Sequence, residues 1–405
     1  MKIITNFILG EAGTAKTTNI VSAICQLKDD FICLAYTHSA VNNLKKKYLD
    51  NYLSNHEANS NEIFDENFKT IHSYFKINLD KNGKEIFHSN LNLDLPSYIF
   101  IDELSLIPLH IIEFIYTVLN NNIYTFDDNI INITFVGDLL QLNPINIQKR
   151  LIDINNFKFL ENFECSFKES LLIADHLSNN IFSTSYYRDG NKLILTKNFR
   201  LNNTVNQILN NVLDDYKNIY KYKIKRSEIK KYIENNYKVL ASRYDYLEKI
   251  YKMINTEKQF KINTDIGEIY FNNFDKLLLT SNLDKDFLNG DTVGIIMEDN
   301  TIKIYKSNYK ENENLVNNNF IYTFEPNLKK YPLLPLNMLT IHKSQGLTLE
   351  RVLIVVDEMF EITMLYTAIT RASIDVKFIL FNKSHLKQLK LYNQSFISMK
   401  NIIYS

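Results

Sequence analysis

The feature that most constrains the fold of this 405-residue chain is a short loop near its amino end that contains two glycines and a lysine. The apolar segment from Ile3 to Leu9 has the length of a buried strand, and the sequence GEAGTAKTT follows it directly. This spacing is typical of a phosphate-binding loop between a strand and a helix. In such a loop, backbone N–H groups surround the phosphates and the positive end of the next helix, here from Thr18, faces the same anion. The sequence therefore predicts a nucleoside triphosphate site formed by Gly10, Gly13, Thr14, Ala15, Lys16, Thr17 and Thr18.

Two side chains of this loop have predicted roles, and one position departs from the usual pattern. We expect Lys16 to reach the β- and γ-phosphate oxygens and the hydroxyl of Thr17 to be available to Mg²⁺. Glycine normally precedes the lysine, whereas this chain has Ala15 there, so that a Cβ occupies a place where backbone freedom is usually needed. The departure leaves two interpretations open, a site that hydrolyses NTP rapidly and a switch that hydrolyses it slowly.

An acidic pair farther along the chain indicates hydrolysis. The apolar run from Tyr98 to Ile101 ends in Asp102 and Glu103. We expect Asp102 to hold Mg²⁺ through its water shell, and Glu103 to accept a proton from the water that attacks the γ-phosphate. Together with the loop, the pair predicts a hydrolytic site.

Composition and charge exclude several classes of protein. Basic and acidic residues number 46 each and give a formal net charge of zero, so any nucleic-acid contact must come from a local basic cleft. The most apolar region, residues 98–119, is interrupted by acidic side chains, and no signal peptide precedes the first strand. We therefore expect a soluble intracellular protein with no membrane association. The chain has three cysteines, Cys25, Cys33 and Cys165, and their spacing is not that of metal ligands, which argues against a zinc site. Such a small number of cysteines suits a reducing compartment.

Apolar segments of strand length alternate with helical patterns in two sets, which predicts parallel sheets in two α/β domains. After the loop, the first set comprises residues 31–35, 98–101 and 131–136, and the second comprises residues 192–195, 238–241, 338–341, 352–356 and 376–381. We place the boundary in the irregular region of residues 176–190, which gives domains of residues 1–180 and 181–405. Two small β insertions are predicted, a hairpin at residues 77–87 around the turn Asn82-Gly83 and a group of short strands at residues 283–335.

Further polar sequences follow the predicted strands. GDLLQLNP, residues 137–144, would bring Gln141 to the γ-phosphate, with Asp138 organising the neighbouring loop. Arg200 and Arg371 are candidates for an arginine that stabilises transition-state charge from across a domain cleft. TIHKSQGLT, residues 340–348, lies after a strand of the second domain, and YTAITRA, residues 366–372, is predicted on a helix.

Taken in order, these sequences resemble the motifs of superfamily 1 helicases, closest to the RecD-like and Dda-like branch that moves 5′ to 3′. GEAGTAKTT resembles motif I, LAYTHSAV (34–41) motif Ia, TIHS (70–73) motif Ib, IDELS (101–105) motif II and GDLLQLNP motif III. In the second domain, KNFR (197–200) resembles motif IV, TIHKSQGLT motif V and YTAITRA motif VI. The similarity covers nearly the whole chain. An abundance of Asn, Ile, Lys and Tyr suggests an AT-rich genome, such as that of some viruses or low-GC microbes.

The resemblance implies two RecA-like P-loop NTPase domains in tandem, residues 1–180 with motifs I to III and residues 181–405 with motifs IV to VI. It also implies that the hairpin, at about residues 75–95, is a strand-separating pin and that the second insertion is an SH3-like element. The cofactors would be ATP or another NTP and Mg²⁺, with Thr17 and Asp102 as the metal-binding residues. The nucleotide site between the domains would comprise Gly13, Lys16, Thr17, Asp102, Glu103, Gln141, Arg200 and Arg371, with Gly346 of motif V as a further cofactor-binding residue.

The partner that the resemblance implies is single-stranded nucleic acid, with DNA favoured over RNA. Small polar side chains would bind phosphate oxygens without reading bases, so the grip tolerates any sequence and is released in every cycle. Phe87 or Phe75 would stack on the base pair at the junction if the hairpin is a pin, whereas Phe87 would pack on its own domain if it is an ordinary surface hairpin. The other residues carried over to nucleic-acid binding are Thr37, His38, Thr70, His72, Thr340, His342 and Ser344.

Expectations about context complete the sequence-based account. We expect a monomer with replication or repair proteins as partners, located in the host cytoplasm or nucleus if the protein is viral. Only nine residues precede Gly10, which leaves no room for the adenine-binding segment found upstream in relatives, so weak discrimination between NTP bases is expected. The open alternatives are a nucleic-acid-binding NTP switch that does not unwind, an RNA helicase, and a P-loop kinase or transferase. We interpret the basic segment from Lys217 to Lys231 as a solvated helical face.

Overall fold

The computed structural model describes residues 2–25, 30–55, 65–80, 84–88, 91–122, 130–142, 186–189, 192–254, 259–281, 291–306, 321–325, 328–359 and 362–386, together with residues 27, 283, 284 and 287. The described residues up to Arg200 form one compact unit, and those from Leu201 onward form a second. Each unit contains a parallel sheet of its own.

The first unit is organised by a seven-stranded sheet. The described strands of the unit are β1 (Lys2–Gly10), β2 (Phe31–Ala35), β3 (Phe68–Thr70), β4 (Asn78–Leu79), β5 (Glu85–Ile86), β6 (Tyr98–Asp102), β7 (Ile130–Gly137), β8 (Tyr186–Asp189) and β9 (Lys192–Leu195). Seven of these nine strands form the sheet, in the order β3-β2-β6-β7-β1-β9-β8, and the other two, β4 and β5, form a separate hairpin. All neighbours in the sheet are parallel except β8 and β9.

The parallel arrangement determines where the candidate site lies. The central strands are apolar along most of their length, as parallel strands covered on both faces usually are, and they bury Ile8, Leu34 and Val136. Because neighbouring strands run in the same direction, their carboxyl ends meet at one edge of the sheet. That edge brings together the ends of β1, β2, β3, β6 and β7, at Gly10, Ala35, Thr70, Asp102 and Gly137.

Helices and short turns connect these strands. The described ones are α1 (Lys16–Ile24), α2 (His38–Asn55), α3 (Ile71–Tyr74) and α4 (Leu109–Asn122), with 3₁₀ turns at Asp65–Asn67 and Leu104–Leu106. α1 follows the predicted phosphate loop directly and buries Ile20, Val21 and Ile24 against the core. It therefore begins at Lys16, before the predicted start at Thr18.

The second unit combines a parallel sheet with antiparallel strands. Its described strands are β10 (Lys238–Ala241), β11 (Phe260–Thr264), β12 (Gly267–Phe271), β13 (Lys276–Leu279), β14 (Thr292–Glu298), β15 (Thr301–Lys306), β16 (Ile321–Thr323), β17 (Leu333–Pro335), β18 (Met338–Thr340), β19 (Leu349–Val355) and β20 (Ala372–Ile379). Its described helices are α5 (Asn203–Asp214), α6 (Ile219–Tyr222), α7 (Ile229–Glu234), α8 (Tyr244–Ile254) and α9 (Ile362–Ile369), with 3₁₀ turns at Tyr216–Asn218, Arg226–Glu228, His342–Ser344 and Lys383–His385.

These strands form three sheets that share one core. The parallel sheet has the order β18-β10-β19-β20, β11 pairs with β12, and the antiparallel sheet has the order β16-β15-β14-β13-β17. Val239 and Leu353 of the parallel sheet belong to the same apolar cluster as Ile295 and Ile304 of the antiparallel sheet. The antiparallel strands thus pack on the parallel sheet and share its hydrophobic core.

The predicted α/β class is confirmed, but one strand belongs to a different unit from the one predicted. The strand Lys192–Leu195 has the predicted bounds, yet β9 pairs in parallel with β1 of the first unit, from Phe7 opposite Lys192 to Gly10 opposite Leu195. The first unit accordingly extends to Arg200, beyond the predicted boundary at residue 180. The apolar pattern of a short strand reports its burial and carries no information about which sheet it joins.

The smaller elements also differ from their predicted extents. β4 and β5 form the predicted hairpin, and its turn at Asn82-Gly83 lies outside the described residues. Antiparallel structure in the second unit begins at β11, well before residue 283. The basic segment forms two short helices, α6 and α7, with two 3₁₀ turns, in place of one helical face. Among the described residues, no helix is both long enough and apolar enough to cross a membrane.

Candidate functional site

The predicted phosphate loop joins the carboxyl end of β1 to α1. Lys16 is the first residue of α1, and Thr17 and Thr18 follow in its first turn. The first N–H groups of a helix have no acceptor within it, and with the helix dipole they favour an anion at this end. Thr14 closes the loop, because its backbone N–H and its hydroxyl both donate to the Glu11 carbonyl, at 3.3 and 2.9 Å. The loop thus presents the start of α1 as an anion-binding position.

The ammonium group of Lys16 lies inside the loop. Its Nζ donates to the carbonyl of Gly10 at 2.7 Å and to that of Glu11 at 2.9 Å. Burial lowers the pKa of this ammonium, and three nearby carboxylates act in the opposite direction. Charged phosphate oxygens are stronger acceptors for an ammonium than neutral carbonyls are. Lys16 is therefore positioned to exchange these carbonyls for phosphate.

The departure from the usual motif at Ala15 appears as backbone strain. Ala15 has φ 62° and ψ 25°, which is the left-handed region that is unfavourable for a residue with a Cβ. Its carbonyl accepts the backbone N–H of Asn19 at 2.9 Å, so this residue is fixed at the start of α1. The loop therefore requires here the conformation that glycine adopts without cost.

Replacement of Ala15 by glycine should relieve that strain. We expect Ala15→Gly to raise the free energy of unfolding by about 1 kcal/mol, because the left-handed conformation costs about 1–2 kcal/mol and the extra freedom of glycine in the unfolded chain offsets part of this gain. NTP turnover should stay the same or increase. Urea denaturation of the two proteins measures the difference, and a less stable variant would show that residue 15 is not strained.

A segment that follows β9 covers the phosphate loop. Asn198 Nδ2 donates to the Ala12 carbonyl at 2.7 Å, and the backbone N–H of Phe199 donates to the Gly13 carbonyl at 2.8 Å. Gly13 has φ 89°, and a Cβ there would lie 2.5 Å from Asn198 Oδ1 and 2.8 Å from Arg200 Cβ. A side chain at position 13 would separate the two segments.

Arg200 lies beside the phosphate loop, within the first unit and not in the second domain as predicted. The reason is the insertion of β9 next to β1, which brings the following residues to the same edge of the sheet. The charge of Arg200 adds to burial in lowering the pKa of Lys16. Two cations therefore act on one anion-binding position.

The predicted metal-binding pair is assembled. The hydroxyl of Thr17 donates to Asp102 Oδ2 at 3.0 Å, and Asp102 Oδ1 accepts the backbone N–H of Glu103 at 2.9 Å. Burial, followed by the charge of Glu103, raises the pKa of Asp102 to about 6. Hydroxyl and carboxylate oxygens are ligands that Mg²⁺ prefers, and proteins usually hold it through one or two such groups while phosphate and water complete its shell. The chemistry of this pair fits Mg²⁺.

The raised pKa of Asp102 predicts that this carboxylate lowers stability. Because its folded-state pKa, about 6, exceeds the ordinary value of 3.8, the folded protein binds this proton more tightly than the unfolded chain does. Its ionisation therefore destabilises the fold as the pH rises between these values, and the full penalty persists above them. We expect Asp102→Asn, without nucleotide or metal, to raise the free energy of unfolding by roughly 1–3 kcal/mol near pH 8 and by much less near pH 4. Chemical denaturation at both pH values tests this, and equal effects would exclude the pKa shift as the cause.

Glu103 occupies a second strained position. Its φ of 57° and ψ of 47° are left-handed, and its carbonyl accepts the backbone N–H of Leu106 at 2.9 Å in the turn that follows. The turn packs closely on β7, since a Cβ at Gly137 would lie 2.8 Å from Leu104 Cβ. Strain of this kind persists only where surrounding structure imposes it, and it is common at functional sites.

Gln141 lies in the turn after β7 and is held by Asp138. Asp138 Oδ1 accepts the backbone N–H of Leu140 at 3.0 Å, and Oδ2 accepts Gln141 Nε2 at 3.2 Å. The backbone N–H of Gln141 also donates to the Asp138 carbonyl at 3.1 Å. Asp138 thus organises this turn, while Asn143 and Pro144 of the same motif lie outside the described residues.

Two residues near the site were not identified from the sequence. Phe199 is 41% exposed beside the phosphate loop, with Lys197 Nζ 4.7 Å from its ring centroid. The sequence signal that could have identified it is its position between Asn198 and Arg200. Lys47 of α2 shares the electrostatic environment of the site. Burial lowers its pKa, which the charges of Asp102 and Arg200 also influence, in opposite directions. Nothing in the run Lys45-Lys46-Lys47 distinguishes the lysine that points inward.

Arg371 is buried in the second unit and lies just after α9, not on it as predicted. Its Nε donates to the Thr367 carbonyl at 3.2 Å and its Nη1 to the Leu347 carbonyl at 3.4 Å. Gly346 has φ 80° in the turn that precedes Leu347. The backbone of the second unit thus orients this guanidinium.

In the first unit, the predicted nucleic-acid residues follow adjacent strands β2 and β3. The Thr37 hydroxyl accepts the backbone N–H of Ala40 at 3.2 Å at the start of α2, and Thr70 accepts that of Ser73 at 3.1 Å as the N-cap of α3. A capping hydroxyl uses its oxygen as acceptor and keeps its own O–H for a phosphate. His38 is the first residue of α2.

The remaining predicted contacts of the first unit involve the hairpin. The ring of Phe87 lies 4.7 Å from that of Phe114 and 5.8 Å from that of His110, measured between centroids. This packing matches the alternative in which Phe87 rests on its own domain. Phe75 is fully buried, which excludes it as a stacking surface. His72 Nε2 lies 3.1 Å from Glu85 Oε1.

In the second unit, the predicted nucleic-acid residues form a turn after β18. The Thr340 hydroxyl accepts the backbone N–H of Lys343 at 3.3 Å, and His342 lies in the 3₁₀ turn. Ser344 is fully buried and its hydroxyl donates to the Ile341 carbonyl at 2.7 Å. The structure therefore gives Ser344 a structural role, in contrast to the predicted contact with nucleic acid.

Comparisons with known proteins agree with this arrangement. Residues 3–146 match the family model described as AAA domain. No curated protein sequence matches the chain. A structure of two coordinating Pif1 helicases that unwind forked double-stranded DNA is similar with a TM-score of 0.58 and 21% identity, over 98% of this chain and 92% of that one.

Two further Pif1 structures show the same similarity. Pif1 helicase from Bacteroides in complex with ADP-AlF3 and single-stranded DNA has a TM-score of 0.55 and 21% identity, over 99% of this chain and 93% of that one. Pif1 helicase from Candida albicans has a TM-score of 0.52 and 15% identity, over 99% and 95%. With a match to the AAA domain model in its first unit and parallel sheets in both units, the chain has the tandem RecA-like fold seen in the Pif1 helicase structures.

Proposed function

We propose that this protein is an NTP-dependent translocase and helicase that moves along single-stranded nucleic acid, with DNA favoured and 5′-to-3′ polarity. The observation that carries the proposal is the convergence of Lys16, Thr17, Asp102 and Glu103 at one edge of the sheet, connected by the Thr17–Asp102 bond of 3.0 Å. A phosphate loop alone is compatible with many activities, but an adjoining carboxylate pair supports hydrolysis.

The residues of the first unit divide the work of hydrolysis. The Lys16 ammonium stabilises negative charge on the phosphates, and Arg200 adds a second cation beside the loop. Glu103 accepts the proton of the attacking water, and Gln141 orients that water while Asp138 holds its amide. Thr17 and Asp102 would hold Mg²⁺, which supplies charge neutralisation on the phosphate oxygens when bound.

The second unit is proposed to contribute Arg371 to the transition state. Its guanidinium is oriented by the carbonyls of Thr367 and Leu347. An arginine that acts on the γ-phosphate only in the closed state couples hydrolysis to domain motion. The grip on nucleic acid would alternate between the two units during the cycle. The residues proposed to bind the phosphates are Thr37, His38, Thr70 and His72 in the first unit and Thr340 and His342 in the second.

An exposed aromatic ring is proposed to receive the nucleotide base. Phe199 offers a ring face beside the phosphate loop, and stacking discriminates poorly between bases because every base has such a face. We therefore expect ATP, GTP, CTP and UTP to be hydrolysed with similar kcat/KM. A strong preference for one of them would require a hydrogen-bonding recognition element elsewhere.

Strand displacement on tailed duplexes tests the helicase proposal. We expect a DNA duplex with a 5′ single-stranded tail to be unwound in the presence of ATP and Mg²⁺, and a duplex with a 3′ tail to remain paired. The same pair of substrates in RNA tests the track, since contacts to the backbone do not by themselves distinguish the sugar. Unwinding from the 3′ tail alone would contradict the polarity, and unwinding of RNA alone would reassign the track.

A nucleic-acid-binding NTP switch is the second candidate, favoured by the strain at Ala15 and by the bonds of Lys16 to its own loop. The bonds of Lys16 stabilise a loop without phosphate, and the Cβ of Ala15 restricts the backbone of the loop, so both features would slow turnover. The switch predicts tight NTP-dependent binding to single strands, slow hydrolysis and no displacement of a paired strand. Rapid turnover would exclude it.

A further inference from the structure

Glu85 of the hairpin lies between two histidines that belong to different helices of the first unit. Its Oε1 lies 3.1 Å from Nε2 of His72 in α3, and its Oε2 lies 2.6 Å from Nε2 of His110 in α4. The Glu85 side chain is only 16% exposed, and an ionised carboxylate accepts hydrogen bonds but donates none. Both imidazoles must therefore donate through Nε2, which fixes their tautomer or requires their protonation. One carboxylate thus connects β5 to both helices.

The hairpin is too short to hold its own position. β4 and β5 contain two residues each, and an isolated two-stranded hairpin is at best marginally stable in water. Its apolar side chains Leu79 and Ile86 are 60% and 42% exposed, so they contribute little to its attachment. Ile77 anchors the start of the hairpin, since it is buried and its backbone N–H donates to the His72 carbonyl at 2.9 Å. On the strand that returns, the described contacts to the rest of the unit come from Glu85 and from the packing of Phe87 on Phe114.

His72 also connects the hairpin to the proposed nucleic-acid-binding segments. Its ring centroid lies 5.2 Å from that of Tyr36, the residue before Thr37. His72 itself belongs to the helix that Thr70 caps. Through the side chain of His72, the carboxylate of Glu85 therefore links the hairpin to the segment that contains Thr37 and to the segment that contains Thr70.

We propose that Glu85 is a positioning residue for strand separation. By joining His72 to His110, it fixes the exposed hairpin residues Leu79 and Ile86 relative to the edge of the sheet that binds nucleic acid. The inference rests on the proposed helicase function. Glu85 has no part in NTP hydrolysis, because its partners lie on α3 and α4 and not on the phosphate loop.

The test separates hydrolysis from unwinding. We expect Glu85→Ala to lower the rate of strand displacement about tenfold or more, since loss of one charge-assisted hydrogen bond can shift a conformational population by that factor. ATP turnover stimulated by single-stranded DNA should stay within about twofold of the wild type, because no catalytic group is altered. Glu85→Gln should restore part of the rate, since an amide can satisfy one imidazole without change and the other after a change of tautomer.

Three further variants test the assignment. His110→Ala should reproduce the loss of unwinding, and the double variant with Glu85→Ala should be no worse than either alone, as expected for residues that act through one contact. Glu113→Ala, which removes an exposed carboxylate from the same helix α4, is the matched control and should unwind at the wild-type rate.

The outcomes distinguish this inference from the function on which it rests. Absence of unwinding by the wild type overturns both. Equal rates of unwinding for the wild type and Glu85→Ala overturn the positioning role alone. A parallel loss of ATP turnover and unwinding in Glu85→Ala also overturns it, because a general effect on folding would then account for the result.

Discussion

Lys16→Ala is expected to abolish NTP hydrolysis, with kcat/KM lowered by about 10³-fold or more. The lysine is the first residue of α1, whereas Arg200, the other cation beside the loop that acts on this position, belongs to a different segment. Nucleotide affinity should fall as well, because the ammonium acts on the phosphates in the ground state and in the transition state. Turnover of ATP with saturating single-stranded DNA measures the first effect, and equilibrium binding of a fluorescent nucleotide measures the second.

The fold of this variant should remain intact. The Lys16 ammonium is bonded to two loop carbonyls, and burial lowers its pKa. Its removal therefore deletes a costly buried charge and should leave thermal stability unchanged or higher. Lys46→Ala, an exposed lysine of α2, is the matched control and should turn over ATP at the wild-type rate. Hydrolysis by Lys16→Ala within tenfold of the wild type would show that the phosphates bind elsewhere.

Glu103→Gln is expected to lower kcat by about 10²–10⁴-fold while NTP binding is retained, because a general base contributes a factor of this size. Glutamine has the same shape but cannot accept the proton of the attacking water. Its backbone should keep the left-handed conformation, since the Leu104–Leu106 turn that imposes it is unchanged. Single-turnover hydrolysis measures the chemical step, and nucleotide binding is measured separately on the same protein.

The two variants differ in a way that tests the assignment of roles. Lys16→Ala should weaken binding and chemistry together, whereas Glu103→Gln should hold NTP and fail to cleave it. A Glu103→Gln protein that retains more than about a tenth of the wild-type kcat would exclude Glu103 as the base. Gln141→Glu and Asp102→Asn would then become the variants with which to locate another proton acceptor.

The chemistry of the first unit was accessible from the sequence because it depends on short local patterns. The loop at Gly10 follows an apolar strand, and Asp102 and Glu103 end another, so each could be identified without knowledge of its neighbours. Parallel pairing then places the carboxyl ends of β1 and β6 at the same edge of the sheet, since both strands pair with β7, which lies between them. The Thr17–Asp102 bond of 3.0 Å is the result.

Pairing between distant strands could not be predicted in the same way. β9 has an apolar pattern that suits either sheet, and its place beside β1 moves Arg200 into the first unit. The cover that Asn198 and Phe199 place on the loop depends on this pairing and was missed with it. Local sequence determines a strand, but its neighbour depends on the packing of the whole unit.

A second acidic pair shows the same limit for the site itself. Asp357 and Glu358 also follow a buried strand, β19, and Glu358 has φ 52°, close to the value for Glu103. The carboxylate of Asp357, however, accepts the backbone N–H groups of Phe381 and Asn382, each at 2.7 Å. It is a structural acceptor, and what distinguishes it from Asp102 is the neighbouring Thr17 at the start of α1, which only the fold supplies.

The hairpin shows that a correctly predicted element does not determine which of its apolar residues packs on the protein. The alternating pattern around Asn82-Gly83 predicted the pairing of β4 with β5, and either Phe87 or Phe75 was expected to stack on the base pair unless Phe87 packed on its own domain. The structure packs Phe87 on Phe114 while 38% of Phe87 remains exposed, compared with 42% of Ile86 and 60% of Leu79. Which apolar residue of a short hairpin faces the protein depends on contacts with α4, here from His110 and Phe114, and the local pattern of the hairpin does not reveal them.

The central claim is most directly tested by ATP turnover of the purified protein with and without single-stranded DNA, with Lys16→Ala as the background. The account predicts slow hydrolysis by the protein alone and a strong increase on addition of single-stranded DNA, both absent from the variant. Hydrolysis that is unaffected by single-stranded DNA and RNA, or that persists in Lys16→Ala, would contradict the proposal that this protein is an NTP-driven motor stimulated by nucleic acid.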